Sequence, residues 1–228
     1  MFYFDSSMII LIPAIIISGW AQLKINSTFQ RYSAVRSVNG YTGSQVARKL
    51  LDSQGLFDVP VQVVGGKLTD HYDPVHRVMR LSEEVYYGTS VASIGVAAHE
   101  TGHAFQHQER YSPLIIRNSI VPIVNFSSNA SWVIFLLGFV LGLPGLLNIG
   151  ILLFSAVVVF QLITLPVEFN ASNRALKMIE NTGILYKDEV AGAKKVLSAA
   201  AMTYVAATLM SVAQLLRLIV LSNSRRDD

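Results

Sequence analysis

Between Arg117 and Glu168 the chain runs for 50 positions, Asn118 to Val167, without a charged residue. About 20 apolar residues cross the hydrocarbon core of a bilayer, so this run is long enough for two spans. LPGLLNIG at 143–150 interrupts it with Pro, Gly and Asn, which favour turns, and the pattern predicts an antiparallel helical hairpin over 118–167. Ser6 to Leu23 is uncharged and rich in Ile, and Val196 to Leu216 is uncharged up to Arg217, which brings the predicted transmembrane helices to four. The opening MFYFDSS carries an acid and no base, and no small-x-small cleavage site stands around Ser18 to Gln22, so the first span reads as an uncleaved anchor. Burial of all four runs in a soluble core is the alternative, but a 25.0 kDa chain has too little other sequence to cover them.

The polar segments between the spans have their own periodicities. In 39–56, NGYTGSQVARKLLDSQGL, Val46, Leu50 and Leu51 recur at helical spacing, with Thr42 or Ser44 as N-cap candidates and Gly55 as a stop. VPVQVV at 59–64 and RVMRLS at 77–82 read as short strands joined by the turn-rich GGKLTDHYDP. From Ser93 a helical pattern runs through IGVAAHETGHAFQHQ until Pro113 stops it. The chain thus divides into an anchor at 1–23, a polar segment at 24–117, the hairpin at 118–167, a second polar segment at 168–195, and a last span with a short tail at 196–228.

Charge orients this arrangement. Of 18 Lys and Arg residues, ten lie in 24–117 and five in 168–195, none precedes the first span, and only Arg225 and Arg226 follow the last. The positive-inside bias then places both polar segments in the cytoplasm and both termini outside. The net charge of +3 is not concentrated among aromatics on a soluble face, so no nucleic-acid partner is expected. With no cysteine in the chain, disulfides, thiolate metal sites and cysteine nucleophiles are excluded together, and any metal must be held by His, Asp or Glu.

Residues 97–108, AAHETGHAFQHQ, contain H-E-x-x-H, a pattern that five His and seven Glu would produce by chance in about 0.003 copies in a chain of 228 residues. On a helix, His99 and His103 stack one turn apart and can share one zinc ion, while Glu100 sits about 100° round the axis, within reach of a water on the metal. This pattern predicts a Zn2+ cofactor and Glu100 as general base. A catalytic zinc site takes three protein ligands and leaves one position open. Glu168, the first charged residue after the long apolar run, is the candidate for the third, because a carboxylate at a helix's exit from the membrane needs a reason. An even number of spans returns it to the side of His99. Glu109 stands six residues after His103, His107 would extend the row of imidazoles, and His71 and His76 flank Asp73 in the turn between the strands; the roles of these histidines stay open.

VGGKLTDHYDP, MRLSEEVYY and SIGVAAHETGHAFQ, followed far downstream by LPVEFNASNRAL, resemble the bacterial membrane-bound neutral zinc metallopeptidases, distant relatives of the prenyl-protease-type membrane gluzincins. The resemblance covers about Gly40 to Ala193. It implies a zinc site of His99, His103 and Glu168 with Glu100 as base, in a mainly α membrane protein with a small α+β zincin-like catalytic subdomain and about four transmembrane helices. Gluzincins often carry Asp four residues after the ligand Glu, orienting a zinc histidine. Here that position is Ser172, leaving Ser172, Asn170 or Asn173 to do that work.

The expected activity is membrane-embedded endopeptidase chemistry on a peptide or membrane-protein substrate, in a bacterial inner membrane, with the site on the cytoplasmic side. RVMRLS is the candidate edge strand for the substrate backbone, being the last strand-like run before the motif helix. His71, Tyr72 and Arg174 are the candidates for stabilising an oxyanion. A transporter or scaffold with a structural zinc is the competing class. It fits less well, because only Arg217 puts a charge inside a span.

Overall fold

A computed structural model describes residues 6–227. A 3-10 turn at Ser6–Leu11 leads into α1 (Ile12–Ser33), followed by α2 (Gly43–Ser53), β1 (Val61–Val64), β2 (His71–Asp73), β3 (Val78–Ser82) and the single turn α3 (Glu83–Tyr86). Four longer helices complete the chain: α4 (Val91–Gln108), α5 (Ser112–Leu141), α6 (Pro144–Thr182) and α7 (Lys187–Asp227). This is a mainly α membrane protein with a small α+β part. Four helical stretches, Ser7–Ser33, Ser112–Leu141, Pro144–Thr182 and Lys187–Ser224, are long and apolar enough to cross a membrane.

The chain forms two compact units. One comprises the described residues of Met1–Gln22, Ile115–Pro166 and Thr203–Asp228. Phe135, Leu147, Phe154, Val158 and Leu218 are buried together in it, while Leu152 at 71% exposure and Phe126 at 67% face outward. Large apolar side chains so exposed on long apolar helices belong against lipid rather than water. The turn between its two middle helices is shorter than 143–150. Gly142 adopts a φ of 67° and Pro144 already opens α6, where its missing N–H costs no helical bond.

The other unit comprises Leu23–Leu114 and Val167–Met202. Its helix α2 starts with Thr42, whose hydroxyl accepts from the Gln45 backbone while the Gln45 side chain accepts from the Thr42 N–H, a reciprocal cap of two orphan donors. Gly55, at φ 75°, follows the helix end. The sheet has the order β1-β3-β2. β1 runs parallel to β3 with Val61 opposite Met79, and β2 runs antiparallel with Tyr72 opposite Met79. The stretch expected as a plain turn therefore contains a strand of its own. β3 is consequently the central strand, with Val78, Met79 and Leu81 buried, and the expectation that it forms an edge for substrate is corrected.

Helix α4 begins two residues earlier than its apolar pattern suggests, because the Ser90 hydroxyl caps it by accepting from the Ser93 N–H. It ends at Gln108, where Arg110 takes a left-handed φ of 53° and the Tyr111 N–H bonds the Gln106 carbonyl. Pro113 is therefore not its stop but lies in the first turn of α5. Ala97, Ala98, Ala104 and Phe105 bury the rest of α4 in the core of this unit, which fixes the direction of its histidine face.

Candidate metal centre

His99 and His103 lie one turn apart on α4 with ring centroids 4.8 Å apart and ring planes at 86°. Their Nε2 atoms approach the same oxygen, Glu168 Oε2 on α6, at 3.3 and 3.5 Å. The close approach of the two helices depends on Gly102. A Cβ there would stand 2.6 Å from the Ala171 carbonyl oxygen, so any side chain would push α6 and its carboxylate away. Glu168 is 4% exposed, and both imidazoles are mostly buried. Among the described residues, these three form the one group of His and carboxylate side chains able to hold a metal, with all their donor atoms within 4.8 Å of one another.

The hydrogen bonds behind the rings determine which nitrogens face the carboxylate as lone pairs. Arg174 Nε, which can only donate, bonds Asn170 Oδ1 at 2.7 Å. That oxygen and the Val167 carbonyl then both accept from Gln106 Nε2, at 3.0 and 2.8 Å. With its nitrogen so committed, Gln106 turns Oε1 toward His103 Nδ1 at 3.0 Å, and the ring nitrogen must carry the proton. A neutral His103 therefore presents a bare Nε2 to Glu168. Ser172 Oγ lies 3.1 Å from His99 Nδ1 and can take its proton in the same way. The position where gluzincins often have Asp thus bonds a histidine through a hydroxyl. Asn170 acts on Gln106 instead, and Asn173 is exposed.

Lone pairs from two imidazoles and a carboxylate repel one another unless a cation or protons sit among them. Zinc bonds of roughly 2.0–2.2 Å in a tetrahedron imply ligand–ligand edges of about 3.3–3.6 Å, which the 3.3 and 3.5 Å separations match. The donor set of two histidines and one glutamate fits a zinc ion with one position left open.

Glu100, next to His99, is turned toward the sheet, where its Oε2 accepts from the Tyr72 N–H of β2 at 3.0 Å. Burial pushes its carboxyl up to about 7; the neighbouring His99 works against this shift, and Glu168 and Asp70 add to it. The Tyr72 hydroxyl is 2.9 Å from His107 Nδ1, so one residue of β2 is tied to α4 at both its backbone and its ring. Asp70 pins the start of that strand by accepting from the Ser82 N–H at 2.8 Å and from its hydroxyl.

The other candidates for a third ligand are engaged elsewhere. Glu109 is paired with Arg174 at 2.7 Å, His71 Nδ1 is 2.7 Å from the Thr69 carbonyl, and His76 pairs with Asp73 at 2.7 Å. Two contributors escaped the sequence reading. Gln106 lies outside the H-E-x-x-H pattern; its spacing of three from His103 on a helix was the available signal. The Tyr72 N–H had none, because a backbone donor carries no residue type.

The family described as "Putative neutral zinc metallopeptidase" matches residues 7–223. A relative from Bacillus subtilis (strain 168), named "Putative membrane protease YugP", is 54% identical over 217 residues, covering 95% of this chain and 96% of its own. No solved structure matches the chain. A family match over nearly the whole length and a relative this similar agree with four apolar helices and a zinc-compatible triad: the chain is an integral membrane protein and belongs to this family of neutral zinc metallopeptidases.

Proposed function

We propose that this protein is a membrane-embedded zinc endopeptidase in which His99, His103 and Glu168 hold the metal and Glu100 is the general base. The observation that carries this reading is the convergence of two imidazole Nε2 atoms on Glu168 Oε2, one residue away from a buried carboxylate. Zinc held there would supply Lewis acidity toward a water and a peptide carbonyl. Glu100 takes a proton from the water as its oxygen bonds the carbonyl carbon, and returns that proton to the amide nitrogen as the C–N bond breaks.

β2 now replaces β3 as the strand for the substrate backbone. It is an edge of the sheet, and its Tyr72 N–H is aimed at Glu100, which supports docking of an extended peptide beside the base. Concentration of basic residues in 24–117 and 168–195 supports a cytoplasmic site in the inner membrane.

Glu100→Gln separates base from ligand. The variant is expected to retain one zinc per chain, measured by metal analysis, while peptide hydrolysis falls by at least ~100-fold, in line with the usual weight of general-base catalysis. Zinc lost together with activity would make Glu100 a ligand and refute the mechanism.

A further inference from the structure

Gln106 is fully buried, and every one of its amide contacts leads to the metal centre or its support. We infer that Gln106 is a positioning residue for the zinc site, setting the tautomer and ring direction of His103 and, through the same amide, the register of the α6 backbone that carries Glu168. This rests on the zinc reading above.

Three observations carry it. The two hydrogens of Nε2 go to the Val167 carbonyl and to Asn170 Oδ1, both on α6 and both within two residues of Glu168. The single remaining oxygen goes to His103 Nδ1 on α4, so one planar group spans the two helices that supply the ligands. Arg174 holds Asn170 Oδ1 in the accepting orientation from outside, and Arg174 is itself held by Glu109. A rotated amide would set Nε2 against the ring nitrogen and leave an oxygen facing two oxygens. The arrangement therefore has one satisfied state. Partners of this kind behind a metal histidine commonly change metal affinity by about 10–100-fold when removed.

The test uses the full chain in detergent, with zinc affinity measured by chelator competition and the visible spectrum of the Co2+-loaded protein as a report on ligand geometry. Gln106→Leu is expected to weaken zinc by about 10–100-fold and to shift the Co2+ absorption bands. Thr101→Val, which removes a buried hydroxyl of the same helix that bonds the Ala97 carbonyl, is the control for disturbance of α4 and is expected to move neither readout. Wild-type affinity and an unshifted Co2+ spectrum in Gln106→Leu, with His103→Ala losing zinc, would overturn the inference and leave the zinc reading standing. Zinc retained by His103→Ala would overturn both. Should Gln106→Leu fail to accumulate, Asn170→Ala carries the test. It removes one of the two acceptors that hold the amide nitrogen on α6, and affinity unchanged from wild type there would also overturn the assignment.

Discussion

Glu168 is 4% exposed and follows 50 positions without a charge, so its carboxylate has left water for a place where only a specific partner offsets the cost. Two imidazole nitrogens at 3.3 and 3.5 Å provide that place, and a shared cation would complete it. Glu168→Gln keeps the shape and removes the charge. Zinc affinity, read by chelator competition, is expected to fall by at least ~100-fold, more than a supporting residue would cost. Glu109→Gln is expected to stay within about threefold of wild type. Its carboxyl is held below the usual range by the hydrogen bond from Arg174, but the pair lies at the surface, where ion pairs contribute about 0–1 kcal/mol. Equal losses in both variants would move the third ligand away from Glu168.

At the scale of elements, the centre depends on how closely α4 and α6 approach, and Gly102 sets that distance. Gly102→Ala gains about 1 kcal/mol in helix propensity but places a methyl 2.6 Å from a backbone carbonyl that cannot rotate away. Overpacking of this kind costs about 1–3 kcal/mol, so the net effect on the melting temperature of the unloaded protein is small or negative. The effect on zinc is expected to be larger, at least ~10-fold, because the relief available is movement of the helix that carries Glu168. Chelator titrations and thermal melts of the same preparation separate the two effects. A melting temperature raised with zinc affinity intact would show that α6 has room to spare. β2 illustrates the same scale differently. Three residues long, it is fastened by Tyr72 to Glu100 and His107 and by Asp70 to the end of β3, so its position depends on contacts remote in sequence.

For the whole molecule the distribution of basic residues sets which face of the membrane is expected to hold the polar segments. With 15 of 18 basic residues in 24–117 and 168–195, a single cysteine placed at the exposed Lys67 is expected to resist an impermeant thiol reagent in intact cells and to react after lysis. The chain has no native cysteine to confuse the result. Labelling before lysis would invert the topology and put the site outside.

The sequence alone determined the features that depend on spacing along one helix or on the length of an apolar run. Four spans followed from hydrocarbon thickness and the pairing of His99 with His103 from the 3.6-residue turn, while the cap of α2 was narrowed only to Thr42 or Ser44. Glu168 could be selected by charge and by counting spans, yet its distance from the imidazoles could not, since it lies 65 positions beyond His103. Tertiary structure alone decided whatever needs two distant segments side by side. It placed β3 in the middle of the sheet and β2 at its edge, aimed the Tyr72 N–H at Glu100, and set the Gln106 amide between His103 of α4 and the Val167 carbonyl of α6. The physical reason is common to these cases: hydrogen-bond partners and strand neighbours are set by packing across the chain, and local periodicity carries no information about which remote backbone will arrive.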